Sequence, residues 1–230
     1  MTAMIFKSLR HYWRTHLAVL VGVFLAATVL TGALFVGDSV RASLQRLVAE
    51  RSGTVQSALL GNDRFFSAHL AKEVAGSAQT KAMALLQVQG TVSDASSSTR
   101  VNAVNVIGVP EDFWALGAHA SPVRLDSSKV ILNEALAAQL GVKVGDTLIA
   151  RVEQPGAISR DAPLSGETDA VVPMRVEVQQ IVNAAGFGNY SLKSEQVAPL
   201  NFFVPMADLG KALDKEGRAN VVLFVGKDPV

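Results

Sequence analysis

The sequence predicts an α+β chain: one N-terminal transmembrane helix with a stalk, followed by a mixed α+β extracytoplasmic domain. Three observations predict it. An uncharged apolar run over 17–36 is long enough to cross a bilayer. From about residue 54 onward, short strand-like runs alternate with short helix-like runs, with hairpin signals between them. No second apolar run of that length occurs, so everything beyond the first span is expected to fold in water as one sizeable domain.

The N-terminal elements follow from charge. No Asp or Glu precedes Asp38, while Lys7, Arg10 and Arg14 stand before "LAVLVGVFLAATVLTGALFV". Twenty helical residues rise roughly 30 Å, the thickness of the hydrocarbon core. A signal-peptide h-region is shorter, about 7–15 residues, so the run reads as an uncleaved anchor. The basic flank places the N-terminus in the cytoplasm and the rest outside, with Arg41, Arg46 and Arg51 weakening that bias. Ile5, Leu9, Tyr12 and Trp13 share one helical side opposite Lys7, Arg10 and Arg14, the pattern of an interfacial helix or of an ordinary basic flank. Ala18, Gly22, Ala26 and Ala33 form a stripe of small side chains against which another helix can pack. The expected segments are 1–16 interfacial, 17–36 transmembrane, 37–53 stalk and 54–230 outward domain.

The stalk is expected because "RASLQRLVAERS" contains no breaker before Gly53. Beyond it, "TVQSALLG" predicts a strand and "RFFSAHLAKEVAG" a helix stopped by Gly76. "AMALLQVQGTVS" and "RVNAVNVIGV" predict two strands around the polar tip "DASSS". "PEDFWALG" reads as a turn or short helix begun by Pro110. "KVIL", "NEALAAQL" and "VGDTLIARV" then read as strand, helix, strand. A Gly, Pro, Ser and Asp rich stretch over 153–171 marks a long loop, an insertion point or the edge of a subdomain. "MRVEVQQIVNA" and "NFFVP" predict strands, "MADLGKAL" a helix, and "NVVLFVG" a last strand.

Composition excludes several functions. The net charge is +1 and no basic patch is interleaved with aromatics, so nucleic acid is not an expected partner. Without cysteine there is no disulfide, thiolate nucleophile or zinc-thiolate site. The stretch "LFVGDSVRASL", 34–44, resembles the opening block of GDSL hydrolases and would make Ser39 a nucleophile. That family supplies its base from a late D-x-x-H block, which is missing, and two of the four histidines, His11 and His16, precede the span. Asp38 and Ser39 therefore read as a polar collar where the helix leaves the membrane. No phosphate-binding loop occurs, and Gly186 with Gly188 in "AGFGNY" suggests a tight turn. His69 and His119 read as surface or packing residues, so no catalytic, metal or cofactor site is expected.

The most distinctive unit spans 130–152, "VILNEALAAQLGVKVGDTLIARV". Asn133 is placed as a helix N-cap and Glu134 early in the helix, where its charge suits the dipole. Leu136 and Leu140 point inward, Gly141 ends the helix, and Gly145 with Asp146 turns the chain into the next strand. These are architectural roles.

Together with "NVIGVPEDFWALG" and the "GDSVRASL" helix exit, this unit resembles the FtsX/MacB-like permease subunits of ABC transporters, over nearly the whole chain. The resemblance implies a first membrane helix plus a MacB-like periplasmic core domain, in the cytoplasmic membrane. It also implies mechanotransmission driven by a cytoplasmic ABC ATPase, with a second permease copy or an accessory periplasmic protein as further partners. Such permeases carry further membrane helices, and the segment that couples to the ATPase lies among them. The chain is thus expected to be the N-terminal portion of a longer protein or a truncated product. The other function class is a single-pass, membrane-anchored binding or adaptor protein without an ATPase.

Overall fold

The computed structural model describes residues 7, 10–78, 81–96, 99–117, 123–154, 171–193, 195 and 197–226. The chain divides into two compact units, Met1–Arg46 and Leu47–Val230. A single α-helix, α1, runs over Trp13–Ser52 for 40 residues. Its most apolar window has a mean hydropathy of 2.5 and is wholly exposed, so by length and composition it can cross a membrane. Ile5 and Leu9 lie outside the described residues. Tyr12 is a bend residue before α1, and Trp13 is exposed with the Arg14 guanidinium 5.8 Å from its ring centroid.

In the second unit the strands are β1 (Val55–Leu60), β2 (Phe66–Ser67), β3 (Lys81–Asp94), β4 (Arg100–Val109), β5 (Lys129–Asn133), β6 (Thr147–Glu153), β7 (Val171–Val182), β8 (Asn201–Pro205), β9 (Arg218–Ala219) and β10 (Val221–Val225). The helices are α2 (His69–Ala78), α3 (Glu134–Leu140) and α4 (Met206–Ala212), with a 3-10 turn over Phe113–Leu116. The unit is mixed α+β.

Six strands close a ring in the order β3-β4-β8-β5-β7-β6 and back to β3. The closure works because β3 is long. Its first half, Lys81–Leu85, pairs with β10, and its last residues, Gly90–Asp94, pair with β6. The period-2 alternation of each strand then sends one side chain in two into the barrel: Leu86, Val88 and Val92 from β3, Val104 and Val106 from β4, Leu148, Ala150 and Val152 from β6. Leu136 and Leu140 of α3, with Leu209 of α4 and Leu213 just after it, join the same core. The opposite faces of β3, β4, β5 and β8 hold a second core, covered by the 3-10 turn and the segment Phe187 to Tyr190.

Two expectations are corrected. "RFFSAHLAKEVAG" is not helical throughout: Phe66 and Ser67 form a strand paired with Ala219 and Arg218, and the helix begins at His69, whose N–H is accepted by the Ser67 hydroxyl (3.3 Å). Nor does Gly76 stop that helix, which runs to Ala78. Gly76 is exposed with open space around it, where glycine weakens a helix without ending it. His119 and most of the glycine-rich stretch after Glu153 lie outside the described residues.

Candidate functional site

The second core is where the helix end becomes part of the domain. Gly53 ends α1 in the left-handed region (φ +58°), its N–H bonded to the Ala49 carbonyl (3.1 Å). A Cβ at this position would stand 2.2 Å from the Leu116 carbonyl oxygen, so both the turn and the approach require glycine. That same oxygen accepts from the Thr54 N–H (3.0 Å) and the Thr54 hydroxyl (3.2 Å). The Thr54 carbonyl in turn accepts from the Gly226 N–H (3.0 Å), beside the end of the last strand.

Arg51 is the unexpected member. It is 6 % exposed, and its guanidinium donates to the backbone carbonyls of Glu195 and Val197. Its own carbonyl accepts from the Ser191 N–H (3.4 Å). No carboxylate bridges it among the described residues. A guanidinium is the cation that tolerates such a place, being planar, weakly hydrated and able to spread its charge over several acceptors. In the sequence Arg51 sits in a polar stalk, where a cation reads as solvated, so only its position two residues before Gly53 offered a signal.

The second core carries five aromatic rings. Phe113 has its centroid 5.3 Å from Trp114, Phe187 and Tyr190 and 5.6 Å from Phe203. Gly186 and Phe187 lie in the turn that follows β7, with Phe187 at φ +68°. The Tyr190 hydroxyl is buried without a hydrogen-bond partner among the described residues, and burial raises its pKa above the ordinary 10.0.

The unit over 130–152 lies next to this core. Asn133 accepts the Leu136 N–H (3.1 Å), an N-cap geometry, with Glu134 in the first helical turn. It does more than cap: its side-chain oxygen also accepts from the Asn201 N–H (3.1 Å), and its amide donates to the Pro199 carbonyl and to Asn189. Asn201 donates in turn to the carbonyls of Gly188 and Tyr190. Asn133 thus pins β5, β8 and the 183–201 segment together. Gly141 follows α3 in the left-handed region, Gly145 has φ +95°, and the Asp146 carboxylate accepts the Lys143 N–H (2.7 Å).

The remaining sequence candidates belong to the first unit. Asp38 and Ser39 are exposed, helical residues inside α1, where the GDSL reading required the end of a strand. Ala18, Gly22, Ala26 and Ala33 are exposed on the same helix. Among the described residues no group of three His, Asp or Glu side chains is gathered to hold a metal.

No protein-family model matches the chain, and no curated protein sequence matches it. Solved structures do. The periplasmic region of MacB from Actinobacillus actinomycetemcomitans aligns over 82 % of this chain and 81 % of its own, at 11 % identity and a TM-score of 0.49. The extracellular domain of the ABC-type transporter YknZ from Gram-positive bacteria aligns over 75 % and 84 %, at 10 % identity and a TM-score of 0.47. One neighbour is thus a periplasmic region and the other the extracellular domain of an ABC-type transporter.

Proposed function

We propose that this chain is the N-terminal portion of an ABC transporter permease subunit, a membrane anchor and outward domain that pass ATP-driven motion to substrate export or extraction. The observation that carries the reading is α1 itself: one unbroken helix contains both the apolar window and Arg51, and Arg51 is buried in the domain. A displacement of that helix end is felt at once by the carbonyls of Glu195 and Val197, by Leu116 and by the Gly226 strand end, because each is bonded directly to Arg51 or Thr54. The sequence resemblance over 130–152 and at the helix exit agrees with it.

In this reading 17–36 crosses the cytoplasmic membrane with the N-terminus inside, 37–53 is the stalk, and the domain stands on the outer side. Asp38 and Ser39 form the collar at the surface, and the Ala18, Gly22, Ala26 and Ala33 stripe receives another helix. A cytoplasmic ATPase couples through membrane segments beyond this chain. Single cysteines at Thr2 and Ser96 are expected to label from opposite sides of the membrane; labelling of both from one side removes the anchored topology. The mechanical claim is tested with Ser43→Pro, which interrupts α1 between the apolar window and Arg51. In the complete transporter, ATP hydrolysis and buried-Trp114 emission are expected to persist while transport is lost. Undiminished transport defeats the proposal.

A further inference from the structure

The barrel wall has a notch. β5 begins at Lys129, opposite Glu177 of β7, and pairs with β8 no further than Phe203. Below that point, among the described residues, no strand lies between Met174–Val176 and Val204–Pro205, and a cleft of about 460 Å³ opens there, within the usual range for small-molecule sites. Its floor is apolar: Val176 and Val204 belong to the barrel core, and Met174 packs on it. Its rim is cationic, with Lys129, Arg175 and Lys211 against the single carboxylate of Asp208. That carboxylate is already engaged by the Ser128 N–H (2.8 Å), and Lys129 is shared with Asp126 (3.4 Å). Arg175 and Lys211 are exposed and have no carboxylate partner among the described residues.

We propose that this notch binds a small amphiphilic acid, its apolar chain over Met174, Val176 and Val204 and its carboxylate between Arg175 and Lys211. An added peptide strand fits less well, because Pro173 and Pro205 stand on the two facing edges and neither has an N–H to donate. Recognition is left to side chains: an apolar floor that dewets on binding and two cations, Arg175 and Lys211, that select charge. The inference concerns the domain alone and does not depend on transport.

Met174 is also the reporter. The full chain, held in phosphatidylcholine nanodiscs and labelled with ¹³C at its methionine methyls, is titrated with sodium octanoate. The Met174 resonance is expected to shift saturably with a dissociation constant on the order of 1 mM, as suits about ten non-hydrogen atoms. Met83, buried in the second core, is expected to stay in place. Acetate, which lacks the chain, and octanol, which lacks the charge, are expected to bind at least about tenfold more weakly. Arg175→Glu combined with Lys211→Glu is expected to weaken octanoate by about tenfold with Met83 unmoved. Should the double change displace Met83, Arg175→Gln and Lys211→Gln decide singly, each about threefold weaker. The proposal is overturned by a Met174 methyl that never shifts saturably, by octanol binding as tightly as octanoate, or by affinity undiminished in the charge variants.

Discussion

The two cores of the second unit are built from different materials. The barrel interior is almost wholly aliphatic, with Phe202 its one fully buried ring, and its six strands each contribute inward side chains, with the alternation of β4 interrupted between Val101 and Val104. The core that holds the helix end has aromatic rings, a buried cation, an unpartnered hydroxyl and two residues at positive φ, Gly53 and Phe187. A close-packed aliphatic ring resists deformation, since any loosening exposes apolar surface on all strands together. A junction held by a few directed bonds and by edge-on rings has discrete points at which an applied displacement is received. In the proposed function, the barrel would be the fixed frame and the junction the place where force enters.

The largest effect that sharpens this contrast is expected from Leu132→Ala, which empties a fully buried barrel position. A loss of about 4 kcal/mol is expected, with the urea transitions of Trp114 emission and far-UV circular dichroism moving together. Separate transitions would mean that the barrel is not the common frame. Next comes Gly53→Val, which meets positive φ and the Leu116 carbonyl. Its cost is expected at about 3 kcal/mol, but locally: hydrogen exchange should rise over 113–116 and 187–197 while β6 and β7 keep their protection. Uniform loss of protection would merge the two regions into one.

Asn133→Ala follows at about 2 kcal/mol, more than the ~1 kcal/mol of an exposed cap, because the Asn201 N–H loses a buried acceptor as well. A cost no larger than an ordinary cap would show that Asn133 does not tie the two cores. Smallest is Tyr190→Phe, expected within about 1 kcal/mol of the parent and on the stable side, since it removes a buried hydroxyl without a partner. The pH response gives a second handle. The unfolded chain releases the Tyr190 proton near pH 10, while the folded chain holds it, so the parent loses stability as pH rises above 10. Tyr190→Phe is expected to flatten that alkaline decline in urea midpoints; an unchanged slope would place its origin elsewhere.

What could be read beforehand was local. The β3 and β4 hairpin is written in alternation around a polar tip, and α3 in an Asn before an apolar pattern and a Gly after it. Ring closure was not legible, because the pairing of Gly90–Asp94 with Leu148–Val152 depends on a partner far along the chain that no periodicity names. The strand pair of Phe66–Ser67 with Arg218–Ala219 is two residues long, too short to carry a period at all. Arg51 was hidden for another reason: its buried partners, Ser191, Glu195 and Val197, come from far along the chain, while its own neighbours in sequence are polar. Asn133 was seen as a cap, and its further bonds to Asn201, Pro199 and Asn189 needed the tertiary structure.

The pairing of β1 with β10 sets an order of events in biogenesis. Among the described residues β1, the first strand after α1, pairs only with β10, so Val55–Leu60 waits for Val221–Val225 before its backbone is satisfied. A closure spanning nearly the whole unit is a high-contact-order step and therefore slow. During that interval Ala58, Leu59 and Leu60 stand on an open edge with no charged residue in the strand to discourage mispairing. Synthesis halted shortly before residue 221 would leave this edge bare on a membrane-tethered chain. The vulnerable interval in the folding of this unit thus closes only when β10 arrives to pair with β1.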